Sequence, residues 1–195
     1  LKPTAVRAVF VIGSRLWGTQ NSKSDWDLLI VASGLPSKTT KGFISVHNGN
    51  LDALIETTQE FETRLATTGG MLETVCAYLA ASGHPYCLQT YDKVVLPQSY
   101  AHLLKKVAEE TDRDIRMAEK YIVKGNIARG KKTIVHALRA LLLVEQLVQN
   151  NTITNLAAAT DCHTQLQHNY QKQWSHYKEN YIPLITTTRT RLLGL

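Results

Sequence analysis

Two aspartates separated by a single residue form the pattern with the clearest chemical meaning in this sequence. Asp25 and Asp27 stand at the head of an apolar run. Residues i and i+2 of a strand point to the same face, so the two carboxylates are predicted to project together. Neighbouring carboxylates repel each other unless a cation lies between them. Mg²⁺ suits such hard oxygen ligands and commonly binds one or two carboxylates together with substrate phosphates, so the pair predicts a metal and triphosphate site.

A glycine–serine turn precedes the aspartates and follows another apolar run. Gly13 lets a phosphate approach the backbone closely, and the Ser14 hydroxyl can hydrogen-bond a phosphate oxygen. Arg15 is compatible with two interpretations, a contact with the triphosphate or a place in a solvated loop. Together these three residues form the predicted triphosphate-binding turn.

A third carboxylate would complete a catalytic set. Asp52 starts an apolar run of its own, and we expect it to bind a metal ion or to act as the general base. Glu56, on the same face of that strand, is the alternative. Three carboxylates can hold two Mg²⁺ ions, with Mn²⁺ as an alternative metal, and two metal ions can neutralise the charge of phosphate groups and activate a hydroxyl.

The string from Gly13–Gly18 to Ser24–Leu28 resembles the signature of the polymerase-β-type nucleotidyltransferase superfamily. It is most similar to the predicted nucleotidyltransferases associated with RNA ligases and RNA repair. The segment Leu51–Ala53 resembles the third acidic strand of that branch. Lys131–Leu141 looks like its Lys-Lys-x-x-x-His-x-x-Arg-x-Leu helix. The resemblance implies an enzyme that transfers a nucleoside monophosphate from a triphosphate to an acceptor hydroxyl.

A polar stripe on the predicted helix 131–149 is a second candidate for nucleotide binding. Lys132, His136 and Arg139 recur at i, i+4 and i+7, and we place them opposite an apolar stripe that includes Leu138 and Leu141. Such a polar face is usually only solvated. Histidine and arginine are unusual choices for a plain solvent face, and the resemblance implies a helical half that closes over the nucleotide. We therefore include the three residues in the predicted site.

Hydrophobic periodicity predicts a mixed α/β (α+β) fold, with a small sheet and flanking helices in residues 1–96 and a helical subdomain in 97–195. The resemblance implies that the sheet is of the nucleotidyltransferase palm type. Expected strands cover 5–12, 28–32, 43–47, 51–56 and part of 87–96, and a hairpin turn is expected at His47–Asn50. Expected helices begin after an N-cap at Thr58 and cover 71–81, 99–123, 131–149, 156–170 and 181–195. A turn is expected between Gly125 and Gly130. Trp17 and Trp26 are expected in the core.

Composition limits the partners. Lysine and arginine exceed aspartate and glutamate by 22 to 16, a net charge of +6, which favours an anionic partner such as RNA. Three widely spaced cysteines favour reduced thiols in the cytoplasm or nucleus. No apolar run suggests a membrane span. Because the chain begins at Leu1, we expect that it can be part of a longer protein.

Three functions are compatible with these features. Nucleotidyl transfer to RNA is the leading prediction. Transfer to a protein side chain or to a small molecule keeps the same chemistry with another acceptor. A non-catalytic RNA-binding module of a larger repair protein is the third. No motif indicates which nucleotide is used or the oligomeric state.

Overall fold

The structure is a computed structural model that describes residues 6–35, 44–68, 70–91, 100–157, 183, 186–191 and 194. The chain forms two compact units, Leu1–Ser99 and Tyr100–Leu195. The first unit contains a mixed β-sheet with flanking helices, and the second unit contains long helices. The predicted α+β class with a small mixed sheet is therefore confirmed.

The first unit alternates strands with short helices. Its elements in chain order are β1 (Val6–Ile12), α1 (Gly13–Leu16), β2 (Trp26–Ala32), β3 (Ile44–Asn48), β4 (Leu51–Thr57), α2 (Thr58–Thr63), a π-helical turn (Arg64–Thr68), α3 (Met71–Ala81) and β5 (Cys87–Gln89). The first four strands and the 71–81 helix match the predictions to within two residues at each described end. The strand predicted within 87–96 is shorter than expected, and residues 92–99 lie outside the described part.

The five strands form one sheet in the order β3-β4-β2-β1-β5. Only the central pair, β2 and β4, runs parallel among the described strands; β1–β2, β3–β4 and β1–β5 are antiparallel. A parallel pair needs a connection that returns the chain to the same end of the sheet. Here part of that connection is β3, which then pairs with the outer side of β4.

One face of the sheet carries an aromatic core. Phe10 of β1 lies opposite Leu29 of β2, and both side chains are fully buried. The Phe10 ring stacks on Phe61 of α2, with ring centroids 6.1 Å apart. Burial of such a ring stabilises the fold by about 2–3 kcal/mol. Alternation along β2 places Asp27 two residues before Leu29 on this same face, so the packed face ends in a carboxylate.

The first helix after β4 begins with a capping box. The Thr57 hydroxyl accepts a hydrogen bond from the Glu60 backbone N–H at 3.1 Å, and the Glu60 carboxylate accepts one from the Thr57 N–H at 3.1 Å. The N-cap is therefore Thr57, and the prediction of Thr58 was wrong by one residue. A capping box requires an acidic or amide side chain three residues after the cap, and Glu60 satisfies that spacing only from Thr57.

The second unit contains a pair of long helices, α4 (Ala101–Val123) and α5 (Ile127–Asn150). The chain turns at 124–126, where Gly125 has a positive φ of 79° and the Asn126 side chain accepts a hydrogen bond from the Arg129 N–H. Gly130 lies inside α5, so the prediction that it ends the turn was wrong. At Gly130 a Cβ atom would lie 2.4 Å from Ile122 Cγ1 and 3.0 Å from the Ala118 carbonyl oxygen. Glycine is needed at this position because the two helices approach closely there.

The remaining predictions for the second unit fall mainly outside the described residues. Of the predicted helix 156–170, only residues 156 and 157 are described, and they form a turn. Within the predicted helix 181–195, residues 186–191 are helical. Among the described residues, no helix has both the length and the apolarity that a membrane span requires.

Substitution of Gly130 tests the close approach of α4 and α5. Alanine is the better helix former by about 1 kcal/mol, but overpacking against Ile122 costs about 1–3 kcal/mol, so Gly130→Ala should lower the free energy of unfolding. Urea unfolding would measure the change. In an Ile122→Ala background the same substitution should become neutral or stabilising. An equal cost in both backgrounds would contradict this packing explanation.

Candidate nucleotide and metal site

The parallel register of the central strands brings two of the predicted acidic residues together. Asp27 of β2 lies opposite Asp52 of β4, at the N-terminal ends of both strands. Neighbouring strands are about 5 Å apart, and residues in register point to the same face. Asp27 and Asp52 therefore form a carboxylate pair at one end of the sheet.

Asp25 precedes β2 and is exposed to solvent, two residues from Asp27. Within the described part of the chain, no group of three or more histidine, cysteine, aspartate or glutamate side chains is arranged to hold a metal ion. The structure thus brings together Asp27 and Asp52 but does not gather Asp25 into a three-ligand group with them. The pair itself fits Mg²⁺, since that ion usually takes one or two carboxylates and completes its shell with water and substrate phosphates.

Gly13 packs directly against the Asp27 carboxylate. Ile12, the last residue of β1, lies opposite Asp27, and the chain then turns at Gly13 with a φ of +66°. A Cβ atom on Gly13 would lie 1.8 Å from Asp27 Oδ2. Glycine is therefore required for two reasons, the left-handed backbone and the space that the carboxylate occupies. The predicted approach of a phosphate to Gly13 stays a prediction.

Replacement of Gly13 by alanine should therefore be more costly than replacement of an ordinary turn glycine. Gly49→Ala is the matched control, because Gly49 has a φ of +60° and nothing lies within 4 Å of its Cβ position. We expect the control to lose about 1 kcal/mol from backbone strain alone. Gly13→Ala should lose about 3 kcal/mol, since steric conflict with Asp27 is added. Chemical denaturation of both variants measures the difference, and equal losses would contradict it.

Ser14 and Arg15 belong to α1 and shape the loop that follows it. The Ser14 carbonyl oxygen accepts a hydrogen bond from the Thr19 N–H at 2.9 Å. Arg15 donates from Nη2 to the Ser24 carbonyl oxygen at 3.1 Å, and its guanidinium lies 3.9 Å from the centre of the Trp26 ring. Arg15 thus holds the loop against the start of β2. Whether either residue also binds phosphate stays a prediction.

Trp26 does not lie in the core. Its side chain is 46% exposed, so the core prediction was wrong, whereas Trp17 is half-buried. Trp26 occupies the first position of β2 and points to the face opposite Asp27. Its register partner Leu51 is also exposed. The size of the indole ring favoured burial, but at the first position of the strand the ring is open to solvent.

His47 was not identified as a site residue from the sequence, yet it contacts Asp52 of the carboxylate pair. It lies opposite Asp52 in the β3–β4 hairpin, and its Nδ1 is 2.6 Å from Asp52 Oδ1. The length of the loop between β3 and β4 is the sequence signal for this contact. A two-residue loop, Gly49–Asn50, pairs position 48 with 51 and position 47 with 52. The turn expected at His47–Asn50 is longer than this loop, and it does not predict that His47 lies opposite Asp52.

Glu56 does not share the site with Asp27. It lies four positions after Asp52, about 13 Å along the strand, and it is 1% exposed. Its carboxylate lies 3.8 Å from Arg64 Nε, and the same guanidinium lies 3.4 Å from Glu73. Burial, together with the negative charge of Glu73, raises the pKa of the Glu56 carboxyl to about 8 against the opposing effect of Arg64. The alternative third ligand is therefore a buried acid at the other end of the strand.

The protonation of Glu56 should make the stability of the first unit depend on pH. The pKa is raised on folding from 4.5 to about 8, so the stabilising contribution is complete below about pH 4.5 and is lost as the pH rises through 8. The loss is at most about 5 kcal/mol. Glu56→Gln mimics the protonated form, so it should remove this part of the pH dependence. Urea unfolding between pH 5 and 9 would test it, and equal pH slopes for the two proteins would contradict it.

The predicted polar stripe of α5 is divided between solvent and core. Lys132 and His136 are exposed, but Arg139 is only 7% exposed, so its assignment to a polar face was wrong. The stripe continues beyond Arg139 with the buried residues Leu143 and Leu147. Burial lowers the pKa of Arg139 to about 10. The apolar residues at 143 and 147 were the signal that this stripe turns inward.

Comparison with known proteins shows a distant structural similarity. No family model matches the chain, and no curated protein is significantly similar to it. Among solved structures, it is similar to a nucleotidyltransferase-like protein from Exiguobacterium sibiricum 255-15. The two share 11% sequence identity, with 99% of this chain and 70% of that chain covered and a TM-score of 0.35. A similarity of this size does not assign the chain to a family.

Proposed function

We propose that the protein is a Mg²⁺-dependent nucleotidyltransferase that moves a nucleoside monophosphate from a nucleoside triphosphate to an acceptor hydroxyl. The observation that carries the proposal is the register of β2 and β4, which sets Asp27 beside Asp52, with Gly13 packed against Asp27. Two adjacent hard-oxygen donors suit Mg²⁺ in the company of phosphates. The excess of basic residues makes RNA the first acceptor to test.

In this proposal each site residue of the first unit has its own role. Asp25 and Asp27 would hold Mg²⁺, and Gly13 and Ser14 would face the triphosphate. When bound, the metal would neutralise charge on the α-phosphate and on the leaving pyrophosphate. Asp52 would complete the ligand set or accept the proton of the acceptor hydroxyl. The hydroxyl oxygen forms the new bond to the α-phosphorus as the bond to pyrophosphate breaks.

The second unit offers two exposed candidates for anion binding. Lys132 and His136 are accessible on α5, and a contact with the triphosphate or with an RNA phosphate is part of the proposal. A contact of Arg139 with nucleotide stays a prediction, because burial alone does not identify a ligand. The same holds for Arg15, whose guanidinium already binds the Ser24 carbonyl oxygen.

Transfer of label from each of the four nucleoside triphosphates tests the proposal. The protein is incubated with Mg²⁺, total RNA and one triphosphate labelled at its α-phosphate. We expect label on RNA with at least one nucleotide. Asp27→Asn and Asp52→Asn should each reduce transfer by about 100-fold or more, since each removes a negatively charged oxygen ligand. Glu109→Gln, an exposed acid on α4, is the matched control and should leave transfer unchanged.

The remaining outcomes separate the alternatives. Label on the protein itself or on a small molecule would keep the chemistry and change the acceptor. No transfer with any nucleotide, together with RNA binding that survives the Asp25→Ala/Asp27→Ala double substitution, would contradict an enzyme and favour a non-catalytic RNA-binding module. Circular dichroism of each variant establishes that a loss of transfer is not a loss of fold.

A further inference from the structure

His47 and Asp52 form a hydrogen-bonded pair across the β3–β4 ladder. Their backbones are in register, and Nδ1 of the imidazole lies 2.6 Å from Oδ1 of the carboxylate. The His47 side chain is 70% exposed, and the Asp52 side chain is 37% exposed. The contact thus joins a solvent-facing residue of an edge strand to a member of the acidic pair.

The direction of this hydrogen bond follows from the chemistry of the two groups. An ionised carboxylate can only accept, so Nδ1 must carry the hydrogen and donate it to Oδ1. A separation of 2.6 Å is short for an N–H···O bond, as expected when the acceptor is charged. The bond fixes the ring orientation and directs Nε2, the second ring nitrogen, away from the shared contact.

The pairing of the strands, and not only the side-chain contact, places these residues side by side. His47 lies opposite Asp52, which in turn lies opposite Asp27 on the other side of β4. The three residues therefore share one row across three adjacent strands, with Asp52 in the middle. A carboxylate in the middle of such a row is held on one side by the imidazole and faces its acidic neighbour on the other.

We propose that His47 is a positioning residue for Asp52. Through Nδ1 it holds the carboxylate by Oδ1 and leaves Oδ2 for a divalent cation shared with Asp27. The inference rests on the proposed function, because it assigns a role to His47 at the same metal site. Partners that orient a metal-binding side chain typically affect metal affinity by about 10–100-fold. His47 itself makes no contact with the metal in this proposal.

Two amide substitutions separate positioning from direct metal binding. In His47→Asn the side-chain amide nitrogen replaces Nδ1, so the hydrogen bond to Asp52 can be kept while Nε2 is lost. In His47→Gln the amide nitrogen replaces Nε2, so the Nδ1 donor is lost. Positioning through Nδ1 predicts that the asparagine variant keeps metal affinity and that the glutamine variant loses it. Ser45→Ala, exposed on the same face of β3, is the matched control.

Mn²⁺ binding to the intact chain, followed by the electron paramagnetic resonance signal of free Mn²⁺, supplies a readout besides activity. His47→Gln should bind about 10–100-fold more weakly than the wild type, with His47→Asn and Ser45→Ala close to the wild type. Thermal unfolding checks that all variants are folded.

Three results would overturn the inference. Wild-type affinity in the glutamine variant removes any role for Nδ1. Equal losses in the asparagine and glutamine variants indicate that the ring binds the metal directly. If Mn²⁺ binding by the wild type is absent or is unchanged by Asp27→Asn, the metal site itself is wrong and the proposed function fails with it. The first two results leave the proposed function standing.

Discussion

The parallel pairing of β2 with β4 is the constraint on which the candidate site depends. A shift of one residue in this register would move the Asp52 side chain to the opposite face of the sheet from Asp27. Two carboxylates about 5 Å apart repel each other by about 1–3 kcal/mol in a partly solvated site. The same register buries Leu29 beside Phe10, and each of these side chains contributes about 2–3 kcal/mol. Core packing is therefore strong enough to hold the like charges together.

The carboxyl groups at the two ends of β4 lie in contrasting environments. At the N-terminal end the Asp52 carboxylate is partly exposed and bonded to His47. At the C-terminal end Glu56 is buried near Glu73, and among the described residues the guanidinium of Arg64 forms the ion pairs with both acids. A single positive charge cannot balance two buried carboxylates, so a proton does so at neutral pH. One strand thus carries both a carboxylate suited to a cation and a carboxyl group that retains its proton.

Much of the first unit could be predicted from the sequence because β1, β2 and β4 are mainly apolar runs. Asp27 and Asp52 were identified from their place at the heads of two such runs. Their side-by-side position could not be predicted in the same way, since strand register depends on pairing between distant segments. His47 was missed for a related reason, because the expected hairpin turn began at His47, two residues before the observed loop Gly49–Asn50. Local spacing identified the candidate residues, but tertiary pairing determined which of them meet.

The errors in the second unit have a different physical origin. Arg139 has the spacing of a polar stripe, but the stripe continues into the apolar residues Leu143 and Leu147, and Arg139 is buried as they are. Gly130 looked like a turn residue because glycine is common in turns, yet here it serves close helix packing against Ile122. The Gly130 contact is made by the other helix, so local pattern alone could not reveal it, whereas Leu143 and Leu147 on the same stripe did signal the burial of Arg139.

The contact between Gly13 and the Asp27 carboxylate also couples the residue types that homologues can have at these two positions. The absence of a side chain at position 13 is needed for as long as position 27 carries a carboxylate that fills the space. A homologue that has lost the acid would be released from this steric demand, although not from the positive φ. Asparagine tolerates that backbone better than most residues. Glycine paired with aspartate, and asparagine paired with a smaller neutral residue, would then distinguish homologues that keep the acidic pair from those that have lost it.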